Sequence, residues 1–562
     1  MPVDNNFRSD KIAGRGKSET LMKMFPSNVL TRRLFVTVVL SLVCCFPMGC
    51  GQSSNAIVEQ AARLIDRGDP EQAVSALNKT LSQDPKNAAA LIVRGRAYEA
   101  LERPDLARDD FNAAVRLSLD ASVAYEARGR FLVRAKDYDS ALIDLENAVK
   151  LVREPAPVLS LIGWVHFFKR NNQNARGFFD RSTELDAREE AAYFGRAAIC
   201  IEEKNYQGAI DELDKLVKFH PKNAEAYFRR GFALLKNSQP ARALADFNKA
   251  VELDKEMKEV YCYRAEANWA LNDLAQALKD YQKAEAVSPE DPILCLNQGK
   301  ILLMTGHCPE AVAKLSDSIA LDPENPLPYV DRAAIYLGTG NYLGALRDIN
   351  KALEFRGDDP WLLVKRAFIF KVLGRGDRAL SDLDSAIALV PDNHDALLLR
   401  GSIYFNETQV ERAILDLKEV IKLAPDDPTA YQLMAEALLR KRDTSEALEN
   451  VGLALEKETS FVPAYVTKGD IHLADSQAGL AVEAYSRALT IDPNHFEARL
   501  KRSKLHLELR DYAKALADLD QAAKVNPYSG EVYSLRAQCY QALGETEKAG
   551  QDNWRARLFA NR

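Results

Sequence analysis

Residues 224–257 read AEAYFRRGFALLKNSQPARALADFNKAVELDKEM, and this thirty-four-residue frame recurs along the chain. Its Ala243 is one of fifteen alanines spaced thirty-four residues apart without a miss, from Ala73 to Ala549. Twelve residues before each alanine stands Gly, Ala or, once, Ser, as in Gly95, Gly231, Ala265 and Ser503. Seven residues after it comes another small residue in most frames, such as Ala250 and Ala284. Large apolar residues fall between them at helical spacing: Tyr227 and Leu234 in a first helix, Phe247 and Val251 in a second. Small residues at fixed crossings let two antiparallel helices and the next frame approach closely. Proline follows twelve residues after the alanine in eight frames, Pro221 and Pro391 among them. Two places further on lies a residue suited to N-capping: Asn87, Asn223, Asp291, Asn325, Asp359, Asn393, Asp427 or Ser529. Four of these precede Pro292, Pro326, Pro360 and Pro428, which suit the first helical position. Each frame is expected to be helix, turn, helix, turn. A stack of like units keeps one residue type in register because every unit meets its neighbour through the same contact.

The pattern resembles the tetratricopeptide repeat over about nine-tenths of the chain. Counting from Ser54, fifteen repeats start at 54, 88, 122, 156, 190, 224, 258, 292, 326, 360, 394, 428, 462, 496 and 530, so the array occupies 54–562. The resemblance implies an all-α fold, a right-handed α-solenoid whose first helices line a concave, ligand-binding face. No stretch is left for a separate catalytic domain, and the chain is not expected to be an enzyme.

Place seven of a repeat, commonly leucine in that family, is arginine in ten repeats, and sixteen residues later the same ten carry an acid. The pairs are Arg94 and Asp110, Arg128 and Asp144, Arg196 and Glu212, Arg230 and Asp246, Arg264 and Asp280. They continue with Arg332 and Asp348, Arg366 and Asp382, Arg400 and Asp416, Arg502 and Asp518, Arg536 and Asp552. The five repeats without the arginine (Gln60, Ile162, Gln298, Met434, Lys468) never have the acid. Repeat four turns apolar at both places, with Ile162 and Phe178. Residues that vary together are in contact, so an ion pair joining the two helices of one repeat is expected. The alternative is a ladder of arginines displayed to an anionic ligand.

The net charge of −6 conceals an asymmetry, because the first fifty residues are net basic and the array is acidic. An acidic array argues against nucleic acid. The leader, 1–50, places Arg32 and Arg33 before an apolar run at 34–46, too short to span a bilayer comfortably and suited to a secretion signal. It ends Phe46-Pro47-Met48-Gly49-Cys50, which resembles a bacterial lipoprotein signal with Cys50 as the lipidated residue, departing from it at Pro47. Translation could begin at Met1, Met22 or Met24. The expected location is exported and membrane-associated at the cell envelope.

Cys200, Cys262, Cys295, Cys308 and Cys539, an odd set without repeated spacing, read as thiols, with a Cys262–Cys295 bridge as the alternative. His166, His472 and His506 share place eleven, a packing position, and no metal or cofactor site is expected. On the first helices of repeats four to seven, Trp164, Phe167, Phe168, Phe194, Phe228, Phe232 and Trp269 form an aromatic stripe. That stripe is either a groove for a peptide or apolar helix, or packing between helices. The expected partners are protein or peptide clients and a membrane, with no small-molecule substrate. The favoured expectation is an envelope scaffold; the alternatives are an assembly component of a secretion or polysaccharide-export machine and a non-catalytic partner of a glycosyltransferase.

Overall fold

The computed structural model describes residues 54–118, 121–257 and 259–559; the leader, its apolar run and Cys50 lie outside them. Among the described residues there are thirty α-helices, two to each repeat, and no strand. None of these helices is long and apolar enough to cross a membrane. In repeat six the first helix is Ala224–Lys236 and the second Pro240–Leu253, and the other repeats keep this layout.

The helices begin where the caps say they should. Asn87 accepts from the Ala90 N–H, and Asn223, Asp291, Asn325, Asp359, Asn393, Asp427 and Ser529 likewise cap the first helix of the repeat that follows each of them. Each such cap contributes about 1 kcal/mol. The turn between the two helices has a feature not visible in composition. Place fifteen is left-handed in every repeat, yet only five repeats use glycine there (Gly68, Gly306, Gly340, Gly374, Gly544). The other ten hold a side chain at positive φ, among them Lys136, Asn272 and the β-branched Thr408 at φ 64°. That conformation costs an L-residue about 1–2 kcal/mol, so tertiary packing imposes it.

Close packing explains the alanine lattice. All fifteen alanines from Ala73 to Ala549 are at most 2% exposed. A Cβ on Gly163 would sit 2.6 Å from the Phe179 ring, and one on Gly469 2.3 Å from Tyr485, so the helices there cross too closely for any side chain. The chain forms two compact blocks, one up to Pro289 and one from Glu290. In the first block the core gathers into two large apolar clusters, Val58 to Val165 and Trp164 to Ala267. In the second it is divided into smaller clusters that span two or three repeats, such as Leu363 to Ile403 and Leu417 to Ile471.

Candidate functional site

The arginine column is built into the stack. Arg94 donates from Nε and Nη2 to both carboxylate oxygens of Asp110, at 2.8 and 2.7 Å. The same two-pronged contact joins Arg332 to Asp348 at 2.7 and 2.8 Å, and seven further pairs repeat it. Arg196 is the exception: Glu212 is one methylene longer and takes only Nη2, which leaves the buried Nε without a partner. Ile162 is buried with Phe178 packed against its cluster, as the apolar exchange at these two places implied. Guanidiniums paired in this way are not free for an anionic ligand, and the ladder alternative fails on that geometry.

A second contact was missed by sequence reading. The remaining nitrogen, Nη1, reaches back to the second helix of the preceding repeat, sixteen residues earlier. Arg94 meets Asn78 at 2.7 Å, Arg230 meets Asp214 at 2.8 Å, Arg332 meets Ser316 at 2.8 Å and Arg400 meets Asp384 at 2.6 Å. The other six arginines do the same with Asn112, Asp180, Asn248, Asn350, Ser486 and Asp520. Before the arginine-free repeats four, eight, twelve and thirteen this place holds Glu146, Gln282, Lys418 and Gly452 instead. A short acceptor therefore tracks the arginine of the next repeat without exception. One guanidinium holds three helices together.

The aromatic stripe is mostly core. Trp164, Phe167, Phe194, Phe228 and Phe232 are buried, Phe194 completely, and Phe168 and Trp269 are half-buried. Trp164 packs against Phe167, Phe168 and Phe179, and its indole N–H lies 3.2 Å from the Ala191 carbonyl. Phe228 and Phe232 both meet Tyr263 of the following repeat. These five buried rings offer no groove, which corrects the reading of this stripe as a ligand surface. Adjacent rings from neighbouring repeats cover each other.

Exposed rings on the corresponding helix face occur instead in repeat ten. On its first helix, Pro360–Val372, Trp361 and Phe368 are each 42% exposed and Val372 is exposed beside them. With Lys365 they stand at i, i+4, i+7 and i+11, one stripe of the helix. The Lys365 ammonium lies 5.4 Å from the Trp361 ring centroid, and Lys371 donates to Ser402 at 2.9 Å. Burial lowers the Lys371 pKa. Sequence reading passed over this pair because two isolated rings make a weaker pattern than seven.

Elsewhere the first helices and their N-caps carry acids that burial pushes above their ordinary pKa: the cap Glu189 to about 6, and Glu225, Glu266, Asp331 and Glu436 upward. Arg229 opposes the shift at Glu225, and Lys236 that at Glu266. The five cysteines named above are free thiols. Among the described residues no group of His, Cys, Asp and Glu could hold a metal ion.

Models of the tetratricopeptide repeat match residues 58–122, 160–224, 224–256, 370–428, 462–495 and 500–557, together more than half of the chain. The chain is similar to the Type IV pilus assembly protein PilF of Pseudomonas aeruginosa, with 24% identity over 28% of this chain and 64% of that protein. It is also similar to anaphase-promoting complex subunit 3 of Schizosaccharomyces pombe, with 24% identity over 23% of this chain and 20% of that one. With Hsc70-interacting protein 1 of Drosophila melanogaster the identity is 28% over 18% and 26%. The matches thus span from a fifth to just under two thirds of these relatives. Among solved structures, the Cut9–Hcn1 hetero-tetramer aligns over 90% of this chain and 98% of that one at 16% identity and a TM-score of 0.38. Yeast Tom70 aligns over 77% and 96% at 18% identity and a TM-score of 0.36. By its repeat frame, its helix pairs and these family matches, the chain belongs to the tetratricopeptide repeat family, whose members bind other proteins.

Proposed function

We propose that this protein is a non-catalytic scaffold of the bacterial cell envelope, binding a protein or peptide on its first-helix face. The leader exports the chain, and acylation at Cys50 holds it at the membrane, since two or more acyl chains anchor stably where one does not. The observation that carries the binding site is the exposed Trp361–Phe368–Val372 stripe edged by Lys365 and Lys371. Two large rings exposed on one stripe of a helix are the kind of anchor that dominates a protein interface. An extended or helical segment with apolar side chains at matching intervals would cover them.

The test is a photo-crosslinking residue in place of Phe368, irradiated in envelope fractions. A defined protein adduct that disappears in Trp361→Ala supports the site; adducts unchanged by that substitution refute it. For the anchor, Cys50→Ser should move the chain out of the membrane fraction, and unchanged fractionation would contradict acylation there. The similarity to a pilus assembly protein favours a second reading, a component that organises a multi-protein envelope machine. Several envelope proteins recovered in stoichiometric amounts would distinguish it from a scaffold for one client.

A further inference from the structure

The last two repeats break polar patterns that the earlier repeats keep. Place thirty-three is Lys, Arg, Asp, Glu, Ser or Asn in the first thirteen repeats and Tyr528 in repeat fourteen. Place twenty-five is polar or glycine in the first fourteen, in ten of them the short acceptor for the next repeat's arginine, and Trp554 in repeat fifteen. Place twenty-nine is polar or alanine in the first fourteen and Leu558 in repeat fifteen. The three side chains are 60%, 64% and 53% exposed. Beside them lies a cleft of about 690 Å³ lined by Tyr528, Glu531, Ser534, Arg557 and Phe559, among others.

The exposed face of the second helix, Thr546–Phe559, reads Glu547, Gly550, Trp554, Arg557, spaced i, i+3, i+7 and i+10 and therefore on one stripe. In repeats thirteen and fourteen the last three of these places face the following repeat. There Val482 and Leu489, then Leu516 and Ala523, belong to clusters that include its first helix. The stripe of repeat fifteen thus continues an established stacking surface with different chemistry. That chemistry is self-complementary. Laid antiparallel against a second copy of itself with the two-fold axis at the level of Asp552, the helix brings Glu547 opposite Arg557 and Gly550 opposite Trp554, each twice. Nothing lies within 4 Å of where a Gly550 side chain would begin, so an indole can seat there. A two-fold interface requires this reciprocity of residues.

We propose that the stacking face of repeat fifteen is a homodimer interface, formed by antiparallel pairing of Thr546–Phe559 from two copies with Trp554 over the partner copy's Gly550. Glu547 and Arg557 fix the direction, because a parallel arrangement would set like charges together. Tyr528 and Leu558 flank the seam and exclude water from it.

The test is light scattering on the full chain in detergent, across its soluble concentration range. The wild type should be a dimer. Trp554→Glu, Glu547→Arg and Arg557→Glu should each weaken dimerisation about tenfold or more. The Glu547→Arg/Arg557→Glu double variant should recover it, and an equimolar mixture of the two single variants should form mixed dimers. All three substituted positions are solvent-exposed, and unchanged thermal melting would certify that each variant folds. A monomeric wild type would overturn the proposal, as would a dimer indifferent to Trp554→Glu or single charge variants that the double exchange fails to rescue.

Discussion

The two blocks place aromatic rings on the corresponding face of the same repeat unit and use them differently. In the first block Trp164, Phe194, Phe228 and Phe232 close over one another into a large cluster. In the second, Trp361 and Phe368 stand in the open, and the residues at the place of Phe368 in the flanking repeats are Ala334 and Ser402. Whether a ring is core or surface is thus decided by the neighbouring repeats, not by its own position. A repeat array can move a binding patch along itself by exchanging a few neighbours while every helix stays in place.

The comparison can be broken most decisively by truncation. Trp164→Ala should cost about 3–5 kcal/mol in chemical unfolding, as expected for a buried ring that leaves a cavity. Trp361→Ala should change stability by less than about 0.5 kcal/mol, the usual range of a surface substitution. Similar losses for the two would contradict the assignment of one to the core and the other to the surface.

The arginine column gives a contrast of similar size. Asp348 is almost fully buried beneath Arg332, and Asp348→Ala should cost about 3–5 kcal/mol by leaving the guanidinium uncompensated. In the first block the Arg196–Glu212 pair is looser, with one arginine nitrogen unsatisfied. Glu212→Asp should therefore stabilise that repeat by about 1 kcal/mol by restoring the two-pronged contact, measured as a shift in the denaturant midpoint. A loss on shortening this side chain would show that Arg196 cannot reach an aspartate there.

A pH-dependent difference comes next. Burial raises Glu189 from an ordinary 4.5 to about 6 in the folded chain. A folded pKa above the unfolded one means that the fold holds the proton more tightly. The contribution of this group is most favourable below pH 4.5 and is lost as the pH rises through about 6. The difference amounts to about 2 kcal/mol. Glu189→Gln should remove that part of the slope and stabilise the protein at neutral pH, and an unchanged profile would mean that Glu189 is solvated. A smaller effect is expected at the turns: Thr408→Gly relieves a β-branched residue at positive φ and should gain about 1 kcal/mol.

Much of the fold was legible because the chain contains its own set of comparisons. Fifteen aligned frames exposed the alanine lattice, the caps and the covariation of Arg332 with Asp348, each of which depends on residue identity at a fixed place. The contact from Arg332 to Ser316 was legible in principle by the same covariation. It escaped because Asn, Asp and Ser also populate ordinary helix surfaces and because the pairing crosses a repeat boundary. Place fifteen gave only a partial signal, glycine in five repeats, since packing forces Lys136 and Thr408 into a conformation that their side chains disfavour. The candidate site was the least legible feature. Exposure of Phe368 depends on the size of side chains brought alongside it by other repeats, and no periodicity encodes that.

The chain has four tryptophans, of which Trp164 and Trp361 represent the two behaviours directly. Acrylamide quenching of single-tryptophan variants, with the other three replaced by phenylalanine, separates them in one measurement. The account predicts strong quenching and red-shifted emission for Trp361 alone, and weak quenching with blue-shifted emission for Trp164 alone. A protected Trp361 or an accessible Trp164 would contradict the division of this face into core in the first block and exposed surface in the second.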